Sequence, residues 1–98
     1  MENKINKSSI SDEVMILLKE GNYEGNDNYG HRKTDYLQKL VDMNDEELYN
    51  ECKHTIWLSA YASNNRKSDY HWWADACSDE CTRRKKYEIY INAYKAAF

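Results

Sequence analysis

The sequence predicts an all-α fold, and three features carry that prediction. The 98-residue chain contains no proline and only three glycines, so little interrupts helical geometry or builds tight hairpin turns. Apolar residues recur three and four positions apart along most of the chain. The length suits one small domain with one core. We therefore expect a single domain over residues 1–98, with residues 1–8 disordered, helices over 10–20, 35–42, 45–63, 69–84 and 86–97, and a long loop at 21–34.

The first two predicted helices are short. Ser9 and Asp12 have the spacing of a capping box, and Gly21 marks the end of the first helix. Thr34 is the expected cap of the second helix. The faces expected in the core consist of Ile10, Val14, Leu17 and Leu18 in the first helix and of Tyr36, Leu37, Leu40 and Val41 in the second.

The third helix has the clearest start in the chain. Asn44 and Glu47 have the spacing of a reciprocal cap, and acidic residues fill the first turn, where the helix dipole favours them. Between Thr55 and Ala62 no residue is charged. A helix that is apolar all round is buried on all sides or presents one face to a partner. We therefore expect this helix to be central, and a symmetric homodimer stays open.

The fourth helix, capped by Ser68 or the aspartate after it, contains the segment HWWADACSDEC, residues 71–81. Helical spacing places Trp73 on one side with the two cysteines, whereas Trp72 lies about 100° around the axis, towards Arg83. We expect Trp73 in the core and Trp72 on a surface open to a partner. The fifth helix follows from the spacing of Tyr87, Tyr90, Ile91, Tyr94 and Phe98.

Residues 21–34 have no hydrophobic periodicity and hold all three glycines. A solvated, flexible loop is the simpler interpretation. Tyrosine, asparagine and glycine are also the composition of binding loops, in which Tyr23 and Tyr29 would supply contact area. The spacing of Asp27, Asn28 and Gly30 does not fit the ligand positions of a calcium loop.

The clustered histidine and cysteines of the fourth helix raise the question of a metal site. Cys77 and Cys81 could bind zinc with His71, or with Cys52 and His54 of the third helix. Only one helical cysteine pair exists, so buried structural cysteines are the favoured interpretation, with a zinc-stabilised domain as an alternative. We expect neither metal nor cofactor. Since no nucleophile and base are spaced for contact, we also expect a non-enzymatic protein.

The basic residues of the second half allow two interpretations. The formal charge of −3 disfavours general nucleic-acid binding. Four cations nevertheless adjoin near the end of the fourth helix: Arg83, Arg84, Lys85 and Lys86. They can act as a solvated helix cap, or bind an acidic protein surface or single-stranded nucleic acid. The other members of such a binding surface would be Arg66, Lys67, Tyr70 and Trp72.

No apolar signal segment opens the sequence, and the longest apolar run, Val14 to Leu18, is too short to span a bilayer. Three cysteines are an odd number, which argues against a disulfide framework. We therefore expect a cytoplasmic protein with reduced thiols and without a membrane partner.

Residues 47–90, ELYNECKHTIWLSAYASNNRKSDYHWWADACSDECTRRKKYEIY, resemble small accessory proteins of bacteriophages and mobile elements. Such proteins are often non-enzymatic inhibitors that bind a host enzyme or a defence complex, anti-CRISPR proteins among them. The resemblance implies a binding module with a larger protein as its partner, in the cytoplasm of a bacterial host, and assigns no functional residue. A nucleic-acid-binding module is the second hypothesis. The residues expected at the partner are Tyr23, Tyr29, Arg66, Lys67, Tyr70, Trp72, Arg83, Arg84, Lys85 and Lys86.

Overall fold

The computed structural model describes residues 10–21 and 23–98, and within them the chain forms five α-helices and no β-strand. The predicted all-α bundle is confirmed. None of these helices is long and apolar enough to cross a bilayer. The helices are α1 (Asp12–Glu20), α2 (Lys33–Val41), α3 (Asp45–Tyr61), α4 (Asp69–Arg83) and α5 (Glu88–Ala97).

Local capping determines where three of the helices begin. α1 follows Ser11, whose hydroxyl accepts a hydrogen bond from the Val14 amide at 3.3 Å. The predicted cap Ser9, like the expected disorder of residues 1–8, lies outside the described residues. α3 begins with the predicted capping box, in which the Asn44 and Glu47 side chains each accept the other residue's backbone N–H. α4 follows its predicted cap, Ser68.

The predicted loop between α1 and α2 is present, and backbone contacts hold its later part in place. Asn26 and Arg32 form an antiparallel bridge, and Lys33 N donates to Gly25 O at 3.1 Å. Because of these contacts, α2 begins at Lys33. Thr34 therefore lies inside the helix, and the prediction that it caps α2 is wrong.

α4 is the central helix, because it packs against each of the other four helices of the described chain. The prediction that α3 holds this place is wrong: its uncharged segment buries Thr55 and Ile56 but exposes Trp57 and Tyr61. Small side chains on α4 let the neighbouring helices approach closely. The fully or nearly buried residues of α4 are Asp69, Ala74, Ala76, Cys77, Glu80 and Cys81.

Candidate protein-binding surface

The turn at residues 27–31 is built around one aspartate. Asp27 Oδ1 accepts hydrogen bonds from the backbone N–H groups of Tyr29 at 2.8 Å and His31 at 2.9 Å. Burial alone would raise the pKa of Asp27, but these two hydrogen bonds outweigh it and lower the pKa. Gly30 closes the turn at φ 86°, a left-handed conformation that glycine adopts without strain. The turn thereby projects the side chain of Tyr29, which is 81% exposed.

Asn28 fastens this turn to the start of α4. Its backbone N–H lies 3.2 Å from both carboxylate oxygens of Asp69, and its side-chain amide donates to Lys67 O at 2.8 Å. Asp69 Oδ1 also accepts the indole N–H of Trp72 at 3.0 Å. One buried carboxylate therefore holds together two segments that are about 40 residues apart in sequence.

A cleft of about 350 Å³ lies where these segments meet. Arg66 and Lys67 are exposed in the turn that precedes α4, and neither forms an ion pair within the described part of the chain. Together with the cleft they form what we call the loop surface. The cleft is lined by Asn28, Tyr29, Asn65, Ser68, Asp69, Tyr70 and Trp73.

Stacked aromatic rings support the floor of the loop surface. Trp73 stacks on Tyr36 of α2, with ring centroids 5.4 Å apart and planes 20° apart, and its other aromatic neighbours are Tyr70 and Trp72. Trp72 meets Tyr36 edge-on at 5.4 Å and packs against the hydrophobic core. The ammonium group of Lys33 lies 5.1 Å from the Trp72 ring.

Both tryptophans are partly buried, and neither has quite the role that helical spacing predicted. Trp73 lines the cleft instead of the core, whereas Trp72 packs against the core and also lines a second open groove of about 250 Å³ with Tyr23 and Asp79. The physical reason lies in the position of α4. Because this helix is covered on several sides, the side that bears Trp72 also contains Ala76, which is fully buried.

Tyr23 lies in the core, which corrects its assignment to a binding surface. The side chain is only 3% exposed, and its hydroxyl donates to Asp79 Oδ2 at 2.6 Å. Burial and the Asp79 carboxylate raise the pKa of Tyr23. Its ring covers Gly21 so closely that a Cβ there would lie 2.2 Å from a ring carbon. Tyr23 therefore anchors the end of α1 to α4.

Two arginines of the predicted basic cluster bind one buried carboxylate. Glu80 is fully buried and accepts two hydrogen bonds of 2.7 Å from Arg83 and one of 2.6 Å from Arg84. The hydrogen bonds to Glu80 raise the pKa of Arg83. The spacing of three and four residues between these groups is visible in the sequence and could have identified the pairing.

Arg84 also ties the end of α4 to the junction between α2 and α3. Its guanidinium donates to Asp45 at 3.0 Å and to the carbonyl oxygens of Leu40 at 2.9 Å and Met43 at 2.7 Å. Lys86 binds the other oxygen of Asp45 at 2.6 Å. Hydrogen bonds from Lys86 and Arg84 lower the pKa of Asp45. Of the two interpretations left open by the sequence, these contacts favour a cap at the end of α4 over a free basic patch.

Lys85 is the cluster member that stays exposed and without an ion pair in the described chain. It has a φ of 59°, and Lys86 N donates to Cys81 O at 3.0 Å, so α4 ends in a Schellman motif. Arg83, Arg84 and Lys86 share two carboxylates, Glu80 and Asp45, so nucleic-acid binding at this site loses about half of the charge on which it depends.

The cysteines of α4 lie in the core beside Cys52. The sulfur atoms of Cys52 and Cys81 are 3.7 Å apart, and Thr55 Oγ1 lies 3.5 Å from the sulfur of Cys77. Hydrogen bonds to Cys77 and Cys81, together with burial, raise the pKa of Cys52 and keep this thiol protonated. Among the residues that the structure describes, no group of three or more His, Cys, Asp and Glu side chains is arranged to hold a metal ion.

His71 uses both ring nitrogens within the protein. Nε2 lies 2.9 Å from Asn65 O and 3.2 Å from Ala62 O, and since a carbonyl only accepts, Nε2 carries the proton. Nδ1 then accepts a hydrogen bond from the Ser59 hydroxyl at 2.7 Å. The ring joins the end of α3 to α4 and has no free nitrogen for a metal.

The sequence reasoning missed a second exposed surface. The spacing of the apolar residues predicted the fifth helix, but several of these side chains point away from the core. On α3, Trp57 and Tyr61 are exposed and stacked at 5.5 Å. The residues we call the outer α5 face are Tyr87, Ile91, Tyr94 and Phe98.

Comparison of the chain with protein-family models, with curated proteins and with solved structures finds no match. The similarity of residues 47–90 to phage accessory proteins therefore stays a prediction. Function has to be inferred from the residues and their geometry.

Proposed function

We propose that the protein is a non-enzymatic binding module that docks on a larger protein through the loop surface. One observation carries the proposal: Tyr29, Tyr70 and Trp73 surround a single cleft, next to the exposed cations Arg66 and Lys67. Tyrosine, tryptophan and arginine are the side chains that contribute most binding energy at protein interfaces. Four of these five residues are also among those that the sequence singled out.

The order of the loop supports this proposal. A mobile loop loses conformational entropy when it binds, and prior ordering removes that cost. Asp27 stabilises the turn, and Asp69 fixes the turn against α4, so the turn that carries Tyr29 is already ordered in the free protein. Rigid aromatic side chains surrounded by asparagine and serine are typical of such preorganised binding surfaces.

The charges at the rim favour an acidic partner. Arg66 and Lys67 supply two exposed positive charges on a chain whose formal charge is −3. A partner with carboxylates opposite this rim would be attracted at long range, and such steering mainly raises the association rate. Association should therefore slow down as the salt concentration rises.

A specific form of the proposal follows from the resemblance to phage accessory proteins. In that form the protein inhibits a bacterial host or defence protein, in the cytoplasm, by covering a surface that the target needs. Such inhibition requires neither a catalytic group nor a cofactor. The protonated Cys52 and the fully engaged His71 are in keeping with a non-enzymatic role.

Capture from nuclease-treated bacterial lysate tests the proposal. The bait is the wild type, a Tyr29→Ala/Arg66→Ala variant, or Tyr61→Ala as the control, since Tyr61 is 78% exposed and lies outside the cleft. We expect the wild type and the control to retain a protein that the double variant retains at least about tenfold less, which corresponds to roughly 1.4 kcal/mol.

Two outcomes would contradict the proposal. Equal retention by the wild type and the double variant would show that the loop surface is not the contact. Retention that occurs only in a parallel lysate without nuclease treatment, and that weakens steeply with salt, would instead favour the nucleic-acid-binding module.

A further inference from the structure

The outer α5 face is apolar and uncovered. Its four side chains recur at intervals of four, three and four residues, so they form one stripe along the helix. The opposite side of α5 buries Ala93 completely. This helix is thus apolar on two faces, and the described residues of its own chain cover only one of them. The exposed fractions on the outer face are 43% for Tyr87, 43% for Ile91, 54% for Tyr94 and 67% for Phe98.

We propose that a second copy of the chain covers this face, with the two α5 helices antiparallel across a two-fold axis. Large side chains of this kind present about 150–250 Å² each, so half of four such chains amounts to roughly 400 Å² per copy. A standard interface buries about 800 Å² per partner, including its polar rim. The apolar stripe would be the centre of such an interface.

The shape of the face suits a facing helix. Tyr87, Tyr90, Ile91 and Tyr94 surround a groove of about 260 Å³, with Lys95 at its edge. Residues at positions i, i+3, i+4 and i+7 form the hole that receives one side chain of a neighbouring helix in knobs-into-holes packing. A two-fold axis makes the insertion reciprocal, because each copy then supplies both the side chain and the hole.

The charges beside the stripe select the antiparallel arrangement. Glu88 and Lys95 are seven residues apart, so they lie on the same edge of α5, and both are exposed without an ion pair in the described chain. In an antiparallel pair this edge faces its own counterpart, which brings Glu88 of one copy towards Lys95 of the other. In a parallel pair the edge that bears Glu88 and Lys95 would face the opposite edge of the partner's helix, which bears Tyr90 and Ala97. That edge packs on the core of its own copy.

Sedimentation equilibrium of the full chain tests the proposal. We expect the wild type to reach about twice its mass of 11.7 kDa at protein concentrations near 100 µM. Ile91→Glu should raise the dimer dissociation constant at least tenfold, since it places two like charges at the centre of the interface. Ile16→Glu is the matched control, because Ile16 is equally exposed on α1, and it should leave the constant unchanged. Circular dichroism checks that each variant is folded.

Charge reversal tests the orientation. Glu88→Lys places like charges opposite Lys95 and should weaken the dimer several-fold, whereas Glu88→Lys/Lys95→Glu should restore it. A folded wild type that stays monomeric, or a dimer unaffected by Ile91→Glu, overturns the proposal, and a dimer in which the double reversal fails to rescue overturns the antiparallel arrangement. Partner capture through the loop surface should survive Ile91→Glu, so the two proposals fail independently.

Discussion

Replacement of Asp69 by alanine should release the 27–31 turn from α4 while the rest of the bundle stays folded. The side chain is 7% exposed and lies in the first turn of α4, where its negative charge is stabilised by the helix dipole. It accepts the backbone N–H of Asn28 and the indole N–H of Trp72. Alanine removes the charge and both acceptors together.

The expected loss of stability can be worked from these contacts. A hydrogen bond to a charged acceptor contributes about 1.5–3 kcal/mol, and the N–H of Asn28 lies at the low end because water can replace its partner. The helix dipole adds about 0.3–1 kcal/mol. With the two hydrogen bonds and the dipole taken together, we expect Asp69→Ala to lower the free energy of unfolding by about 3–5 kcal/mol. For a domain of this size that lowers Tm by roughly 12–40 °C.

Urea unfolding followed by circular dichroism measures this loss, and hydrogen exchange of the amides at 27–31 measures the release of the turn. Asp69→Asn, which keeps one acceptor oxygen, should lose about half as much. Asp42→Ala, at an exposed aspartate bonded only to Gln38 of its own helix, should change the free energy by less than about 0.5 kcal/mol. A loss below about 1 kcal/mol, or unchanged exchange at 27–31, would refute the role assigned to Asp69.

Three further substitutions probe other contacts. Arg84→Met leaves buried Glu80 with one cation, so we expect urea unfolding to show a loss of about 3–5 kcal/mol; Lys85→Met at the exposed neighbouring position is the control, and similar losses in both would contradict the reasoning. Lys85→Gly relieves a left-handed φ of 59° and should add about 0.5–1 kcal/mol, seen as a higher Tm; a lower Tm would argue against strain. Burial and the charge of Asp79 raise the pKa of Asp75, so its ionised form destabilises the fold as the pH rises past the ordinary value of 3.8. Asp75→Asn should therefore stabilise at pH 7 by less than about 1 kcal/mol, with the gain vanishing below pH 3.8 in a pH series of unfolding curves; a gain that persists in acid would have another cause.

The helix starts at Asn44 and Ser68 were predictable because a cap and the amide that it binds lie within three residues of each other. The same short range applies to Glu80 and the two arginines after it, although the sequence predictions for these cations included only a solvated helix cap and a binding patch, not this pairing. Helix positions were predictable for this reason, as was the all-α class. The spacing of residues does not indicate how many other helices will pack against a given helix.

The remaining differences between the predicted and the observed structure arise from contacts between segments that are distant in sequence. Asn28 and Asp69 are about 40 residues apart, and neither shows in the local sequence that it needs the other. The turn therefore had the composition of a flexible loop, while its order depends on a carboxylate in α4. On α4 the predicted burial of Cys77 and Cys81 is confirmed. Trp73 nevertheless lies at the cleft and Trp72 packs against the core, because this helix is covered on more than one side.

The unusual composition of the chain, with nine tyrosines and three tryptophans, follows from the packing of α4 and α5. Where these helices pass through the interior, their buried residues are small, as at Ala76, Cys77 and Ala93. Small residues at these contacts leave little room for rings between the helices, so most of the rings lie at the edge of the core or on the surface. Tyr23, which is buried, and Trp72, which packs against the core, are exceptions. The other rings meet neighbouring rings, as Trp73 meets Tyr36, or remain uncovered, as on the outer α5 face. Close packing inside and aromatic surface outside are thus two consequences of one arrangement, and the outward displacement of the rings creates both surfaces on which binding is proposed.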